Sequence, residues 1–187
     1  MARNLRYLEP EEISTLLEVP NTRSLIGLRN RLILQIQAEC ATRVGETLNI
    51  RPRDVNIAEK RIYIQNGKGG RSRTVYWHSN SLSDYLQKWK EVRPDGEYLF
   101  VNVRGTTRGT KVSSRNIQKA IQMYARRAGI PVGCTCHMLR HGRDTQMLRD
   151  GVSLRTVQEC LGHKSVATTQ IYTHITNQDV QQAMRGN

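Results

Sequence analysis

Nothing in this 187-residue chain approaches the roughly 20 apolar residues that a membrane-spanning helix requires; even the cluster Leu32-Ile33-Leu34 gives way at once to Gln35. The first residues, Met1-Ala2-Arg3-Asn4-Leu5-Arg6, lack the apolar core of a secretory signal. Cysteine is scarce as well. Cys40, Cys134, Cys136 and Cys160 are scattered, which argues against a disulfide framework and fits a reducing cytosol. Cys134-x-Cys136-His137 opens like a zinc site, but Cys40 and Cys160 make no second pair, so a metal is not expected. No internal repeat or low-complexity linker divides the chain. These absences predict a soluble, cytoplasmic protein of one domain, or of one and a small appendage.

Acidic residues are also in short supply. Asp plus Glu total 16 against 29 Lys plus Arg, a formal charge of +13, so the surface should attract a polyanion over several ångströms. Nucleic acid is the obvious partner, although charge alone does not separate a binder from an enzyme that cuts.

Helical periodicity marks Glu9 to Val19, with Pro10 suited to the first turn and Ile13, Leu16 and Leu17 on one face. A second, buried helix should start at Thr22 or Ser24 and run through Leu25, Leu28, Leu32 and Ile36 to about Cys40. After Pro52 the period changes to two. Asp54-Val55-Asn56-Ile57, Arg61-Ile62-Tyr63-Ile64 and Arg73-Thr74-Val75-Tyr76 read as three short antiparallel strands, the last two joined by the turn Asn66-Gly67-Lys68-Gly69-Gly70. Helices resume from about Ser83 to Lys90 and from Ser113 or Ser114 towards Gly129, flanking a basic loop at Gly105 to Gly109. Others span His137 to Gly151 and Ser153 to Gly162, and a last pair covers Val166 to His174 and Asn177 to Met184. The fold class is therefore α+β, mainly α-helical, with a small three-stranded antiparallel sheet.

Chemistry enters with His137-Met138-Leu139-Arg140, where His and Arg three residues apart share a helix face. Arg offers a permanently charged fork for two phosphate oxygens, and His exchanges a proton near neutral pH. By itself such a pair is most often a solvated helix face. Leu161-Gly162-His163 follows a helix, and nine residues after His163 comes Tyr172, whose phenol serves as a nucleophile only where cations stabilise the phenolate.

Taken together and in order, these segments resemble the tyrosine recombinase and integrase family, particularly its Xer-type members, over essentially the whole chain. Ala41-Thr42-Arg43-Val44-Gly45-Glu46-Thr47-Leu48 is similar to the family's first arginine box, and Gly67-Lys68-Gly69 to its hairpin lysine. His137 to Arg140, Leu161-Gly162-His163 and Thr168 to His174 are similar to the second box and the nucleophile segment. The resemblance implies a DNA breaking-rejoining fold and a catalytic set of Arg43, Lys68, His137, Arg140, His163 and Tyr172. It implies that Tyr172 attacks a phosphodiester, leaving a 3′-phosphotyrosyl bond and a free 5′-hydroxyl, with strand exchange through a Holliday junction. Since one phosphodiester would be exchanged for another, the resemblance implies that neither ATP, a metal nor another cofactor is needed. The two arginines would meet the charge on the phosphoryl oxygens, Lys68 would protonate the leaving 5′-oxygen, and His137 would take or share the tyrosine proton. His163 would hydrogen-bond a non-bridging oxygen.

Double-stranded DNA is the expected partner, gripped through backbone phosphates by candidates such as Arg71, Arg73, Arg104, Arg108, Lys111, Arg115 and Lys119. Residues 1–187 are expected to form the catalytic domain, without the separate core-binding domain that family members carry before it. Residues 174–187 should form a tail helix, with Ile175, Val180, Ala183 and Met184 on one face, exchanged between protomers of a homotetramer on two DNA sites. Association without DNA should be weak, and the protein nucleoid-associated. A type IB topoisomerase-like nicking-closing enzyme and an inert DNA-binding regulator are the alternatives.

Two departures from the family pattern carry structural expectations. His141-Gly142-Arg143-Asp144-Thr145 stands where the family has a small residue and then apolar ones. Gly142 inside a helix should cost about 1 kcal/mol relative to Ala, and Arg143 with Asp144 puts charge where hydrophobes usually pack. Ala41-Thr42 replaces the common Gly-Leu before Arg43, which should shift the backbone there.

Overall fold

A computed structural model describes residues 6–65, 72–131 and 133–161. Lys68, Arg71, His163, Tyr172 and the tail from 174 to 187 lie outside the described residues. Helix α1 (Pro10–Glu18) has Pro10 at its first position, where a missing N–H costs nothing. The central helix α2 (Leu25–Cys40) starts where the Ser24 hydroxyl accepts the Gly27 N–H, and it is buried on nearly every face. α3 (Val44–Leu48) and a 3₁₀ turn (Pro52–Asp54) lead into the sheet. Its strands β1 (Val55–Asn56), β2 (Arg61–Ile64) and β3 (Arg73–Tyr76) pair antiparallel in sequence order, with Val55 opposite Ile62 and Ile62 opposite Val75. Helices α4 (Asn80–Val92), α5 (Ser114–Arg127), α6 (Cys136–Arg149) and α7 (Leu154–Leu161) complete the described chain. Serine caps set the starts of α4 and α5, through Ser79 to Leu82 N–H and Ser113 to Asn116 N–H.

The expected fold class holds, with local differences. The first strand is two residues long because Asp54 belongs to the 3₁₀ turn, where its carboxylate accepts the Arg51 N–H at 2.8 Å. α4 starts before Ser83 because Ser79 caps it a turn earlier, and it runs past Lys90 to Val92. α3 has no counterpart in the periodicity, since five residues are too few to establish one. No helix among the described residues is long and apolar enough to cross a membrane.

Helices α1, α3, α4, α5 and α6, together with β3, all pack on α2, and the core gathers Leu28, Leu32, Ile33 and Ile36 with Leu86, Trp89, Phe100 and Leu139. Three buried polar side chains form a chain of hydrogen bonds there. Arg29 donates to the Val101 carbonyl at 3.0 Å and to the Asn30 side chain, which in turn donates to the Tyr124 hydroxyl. This fixes the base of the loop whose ends meet at the Val101–Lys111 bridge, so that Arg104 and Arg108 project from a rigid stem.

Gly142 has a different meaning from the one its helix propensity suggests. A Cβ built there falls 2.5 Å from the Leu8 carbonyl oxygen and 3.1 Å from Ile13 Cδ1. The segment before α1 crosses α6 at this point, with Leu8 fully buried and Arg149 of α6 donating to Glu9 and to the Tyr7 hydroxyl. The small residue permits a backbone crossing that any side chain would block.

Candidate active site

The first arginine box works through its local geometry. Ala41 ends α2 in the left-handed region at φ 50°, a conformation that costs a non-glycine residue about 1 kcal/mol. Its methyl group is buried against Val157, which offsets part of that cost. The turn puts Arg43 at the N-cap of α3 with extended backbone, and Glu46, three residues on, accepts the Arg43 N–H at 2.9 Å. Thr42 and Thr47 hydroxyls bond to each other at 2.8 Å beneath this turn. The left-handed turn at Ala41 aims its carbonyl at α6, where Arg140 donates to it.

Glu46 organises the site. Its carboxylate takes Arg43 Nη1 at 2.9 Å and both terminal nitrogens of Arg73 at 2.9 and 3.2 Å, and its Oε2 lies 4.0 Å from Arg140 Nη1. Arg140 Nη1 donates to the Ala41 carbonyl at 2.5 Å. On the other side of the same guanidinium, Asp144 Oδ2 stands 3.9 Å from Nε and 4.0 Å from His141 Nδ1. Arg140 is 2% exposed, Asp144 0% and Glu46 8%, and ions so enclosed persist only when opposite charges compensate them. Arg140 is lowered by burial, while Asp144 and Glu46 oppose that shift and Arg43 and Arg73 add to it. His137, one turn before Arg140, is exposed, with its ring 5.8 Å from that of His141. His141 is lowered by burial and then by His137 and Arg140, which favours its neutral form.

Burial alone would raise the Glu46 carboxyl, but hydrogen bonds from Arg73 and Arg43 outweigh it and hold the group at about 2. A carboxyl lowered on folding contributes stability above its unfolded pKa and loses it as pH falls towards the folded one. Roughly 3 kcal/mol is therefore present above about pH 5 and drains away towards pH 2. Urea midpoints measured from pH 6 to pH 2.5 should fall steeply for the parent. Glu46→Gln should start lower and fall more gently, and parallel curves for the two proteins would refute this assignment.

Of the residues expected in the site from sequence, the structure brings Arg43 and Arg140 together and places His137 one turn away on α6. Lys68, His163 and Tyr172 lie outside the described residues. Among the expected phosphate contacts, Arg104, Arg108, Lys111, Arg115 and Lys119 are exposed. Lys111 reaches Asn49, which ends α3, and lies over the Tyr98 ring. Arg73 differs from these. Its fork is bidentate on Glu46 and its side chain is 13% exposed, so it is an internal counter-charge of the cluster and not a surface arm. Sequence reading singled out neither Glu46 nor Asp144 as a site residue. The capping-box position of Glu46 after Arg43 was the available signal. Cys134 and Cys136 sit in the core, where burial pushes their thiols up to about 11 and about 12.

Residues 6–179 match the model of the phage integrase family. The chain belongs to the phage integrase family. Within it, the chain is 35% identical over 180 residues to the tyrosine recombinase XerA of Pyrococcus furiosus and 38% identical over 180 to that of Thermococcus kodakarensis, covering 60% and 61% of those proteins and 96% and 95% of this chain. It is also 34% identical over 185 residues to the tyrosine recombinase XerC of Oceanobacillus iheyensis, covering 95% of this chain and 59% of that one. Among solved structures of the family, a crystal structure of XerA recombinase superposes with a TM-score of 0.82 at 30% identity, covering all of this chain and 66% of that one. The XerH site-specific recombinase bound to palindromic difH substrate, a post-cleavage complex, superposes at 0.80 with 28% identity, covering 96% of this chain and 52% of that one. The chain thus spans about three fifths of the length of the curated relatives it matches.

Proposed function

We propose that this chain is the catalytic domain of a site-specific DNA recombinase, cutting and rejoining strands by transesterification at Tyr172. The observation that carries the reading is the pairing of Arg43 and Arg140, 97 positions apart in sequence, around one buried carboxylate, within a chain of the phage integrase family. Two fixed guanidinium forks suit a phosphoryl transition state, whose negative charge spreads over oxygens that each fork can meet in pairs. Because Glu46, Asp144 and the Ala41 carbonyl hold these groups before DNA arrives, little reorganisation remains when charge develops. His137, exposed beside them, would handle the tyrosine proton, and Lys68 would protonate the leaving 5′-oxygen. His163 would complete the set by hydrogen-bonding a phosphate oxygen. Tyr172 would leave a 3′-phosphotyrosyl bond, and attack by another strand's 5′-hydroxyl would restore the phosphodiester through a Holliday junction. In the full assembly four such domains would act on two duplexes, with residues 174–187 docking on the neighbouring protomer, in association with the nucleoid.

A nicked suicide duplex, which loses a short fragment after cleavage, tests the chemistry. A covalent protein–DNA adduct is expected, and its absence under any duplex sequence selected for binding would favour an inert binder. Two-duplex products would separate recombination from simple nicking and closing.

Duplex affinity should fall with salt at a logarithmic slope of about −0.9 per phosphate neutralised. Arg108→Ala should weaken binding similarly on all sequences and reduce that slope by about 1, as measured by fluorescence anisotropy at several salt concentrations. An unchanged slope would remove Arg108 from the interface.

A further inference from the structure

α6 carries a carboxylate where the family resemblance leads one to expect packed hydrophobes. Asp144 lies four residues after Arg140 and three after His141, so all three side chains fall along one side of the helix. Asp144 is 0% exposed, yet its Oδ2 stands 3.9 Å from Arg140 Nε and 4.0 Å from His141 Nδ1. The opposite end of Arg140 meets the Ala41 carbonyl at 2.5 Å and Glu46 at 4.0 Å. A guanidinium is planar, so contacts at Nε and at Nη1 from two different elements fix both its position and its plane. Of the charges around Arg140, Asp144 is the one that most strongly favours the cationic form, ahead of Glu46.

We infer that Asp144 is a positioning residue that holds the Arg140 guanidinium in the plane required to receive a phosphate, acting from the face opposite Glu46. The inference rests on the reading of Arg140 as a phosphoryl-binding group. Asp144 itself touches no reacting atom in this scheme. Its removal should therefore slow the chemical step while leaving duplex affinity, which depends on exposed cations, nearly unchanged.

Asp144→Asn keeps the volume and removes the charge, so it is the variant of choice; Asp144→Ala accompanies it. Single-turnover cleavage of the suicide duplex at saturating DNA should slow about tenfold in Asp144→Asn, with dissociation constants within twofold of the parent. A merely structural role would lower the fraction of active protein and the melting temperature instead of the rate constant. The decisive comparison is a double-mutant cycle with Arg140→Lys, which lacks Nε and the fork. If Asp144 acts through Arg140, adding Asp144→Asn to Arg140→Lys should cost less than twofold. An equal tenfold cost in both backgrounds, or a parental rate constant in Asp144→Asn, overturns the inference. A readout without DNA keeps the two levels apart. The Arg140 Nε–H signal in ¹H–¹⁵N spectra should shift and exchange faster with solvent in Asp144→Asn, and an unchanged signal would also overturn it. If that signal responds while the parent forms no adduct, the functional reading fails and the contact between Asp144 and Arg140 stands.

Discussion

Tyr172→Phe is expected to bind duplex DNA as tightly as the parent and to form no covalent adduct at all. The substitution removes one oxygen and leaves every phosphate-gripping cation in place, so binding, which is mostly electrostatic, has nothing to lose. On the proposed mechanism chemistry loses its nucleophile, because a 3′-phosphotyrosyl bond requires the phenol oxygen itself. The measurement is denaturing electrophoresis of protein incubated with a radiolabelled suicide duplex, beside an anisotropy titration of the same sample. A shifted band persisting in Tyr172→Phe would place the nucleophile elsewhere and withdraw the mechanism proposed above. Loss of both adduct and binding would instead mark Tyr172 as a structural residue.

Arg140→Ala should lower the cleavage rate by 10² or more, the scale on which enzymes depend on one preorganised charge-stabilising donor. It carries a second cost. Asp144 at 0% exposure and Glu46 at 8% would lose a shared counter-charge, and breaking a buried pair in this way typically costs about 3–5 kcal/mol. Against a typical domain stability of about 5–15 kcal/mol, the variant still folds but melts earlier. Arg140→Lys separates the two effects. It keeps the charge near Asp144 and Glu46 but cannot present two parallel N–H groups, so its melting temperature should stay closer to the parent while cleavage still falls at least tenfold. Parental cleavage by either variant would remove Arg140 from the site.

The long, periodic elements were legible from sequence because their apolar spacing and serine caps act locally: α2 begins after Ser24 and α5 after Ser113, as their side-chain bonds dictate. The site was legible only as separate motifs. Arg43 and Arg140 could be named, but nothing local to either says that Glu46 joins them or that Arg73, expected among the phosphate contacts, turns inward to the same carboxylate. Those are tertiary contacts. Gly142 illustrates the same limit, since a helix scale assigns it a penalty and only the crossing of Leu8 over α6 gives it a purpose. Asp144 was visible as a charge out of place, and its partner, one turn back on the same helix, became evident once the burial of both was known.

The bond from Arg140 to the Ala41 carbonyl joins positions 99 apart. On the ribosome, where chains grow at about 5–20 residues per second, Ala41 and Arg43 are therefore made roughly 5–20 seconds before Arg140 exists to meet them. During that interval the capping signals of α2 and α3 are already in the chain, yet the proposed two-armed phosphate grip is missing one arm. On the proposed function, a centre split across so much of the chain stays inactive until α6 has docked and Tyr172, 32 positions after Arg140, has followed, so a truncated or stalled product would carry the first arginine box without the capacity to break a strand.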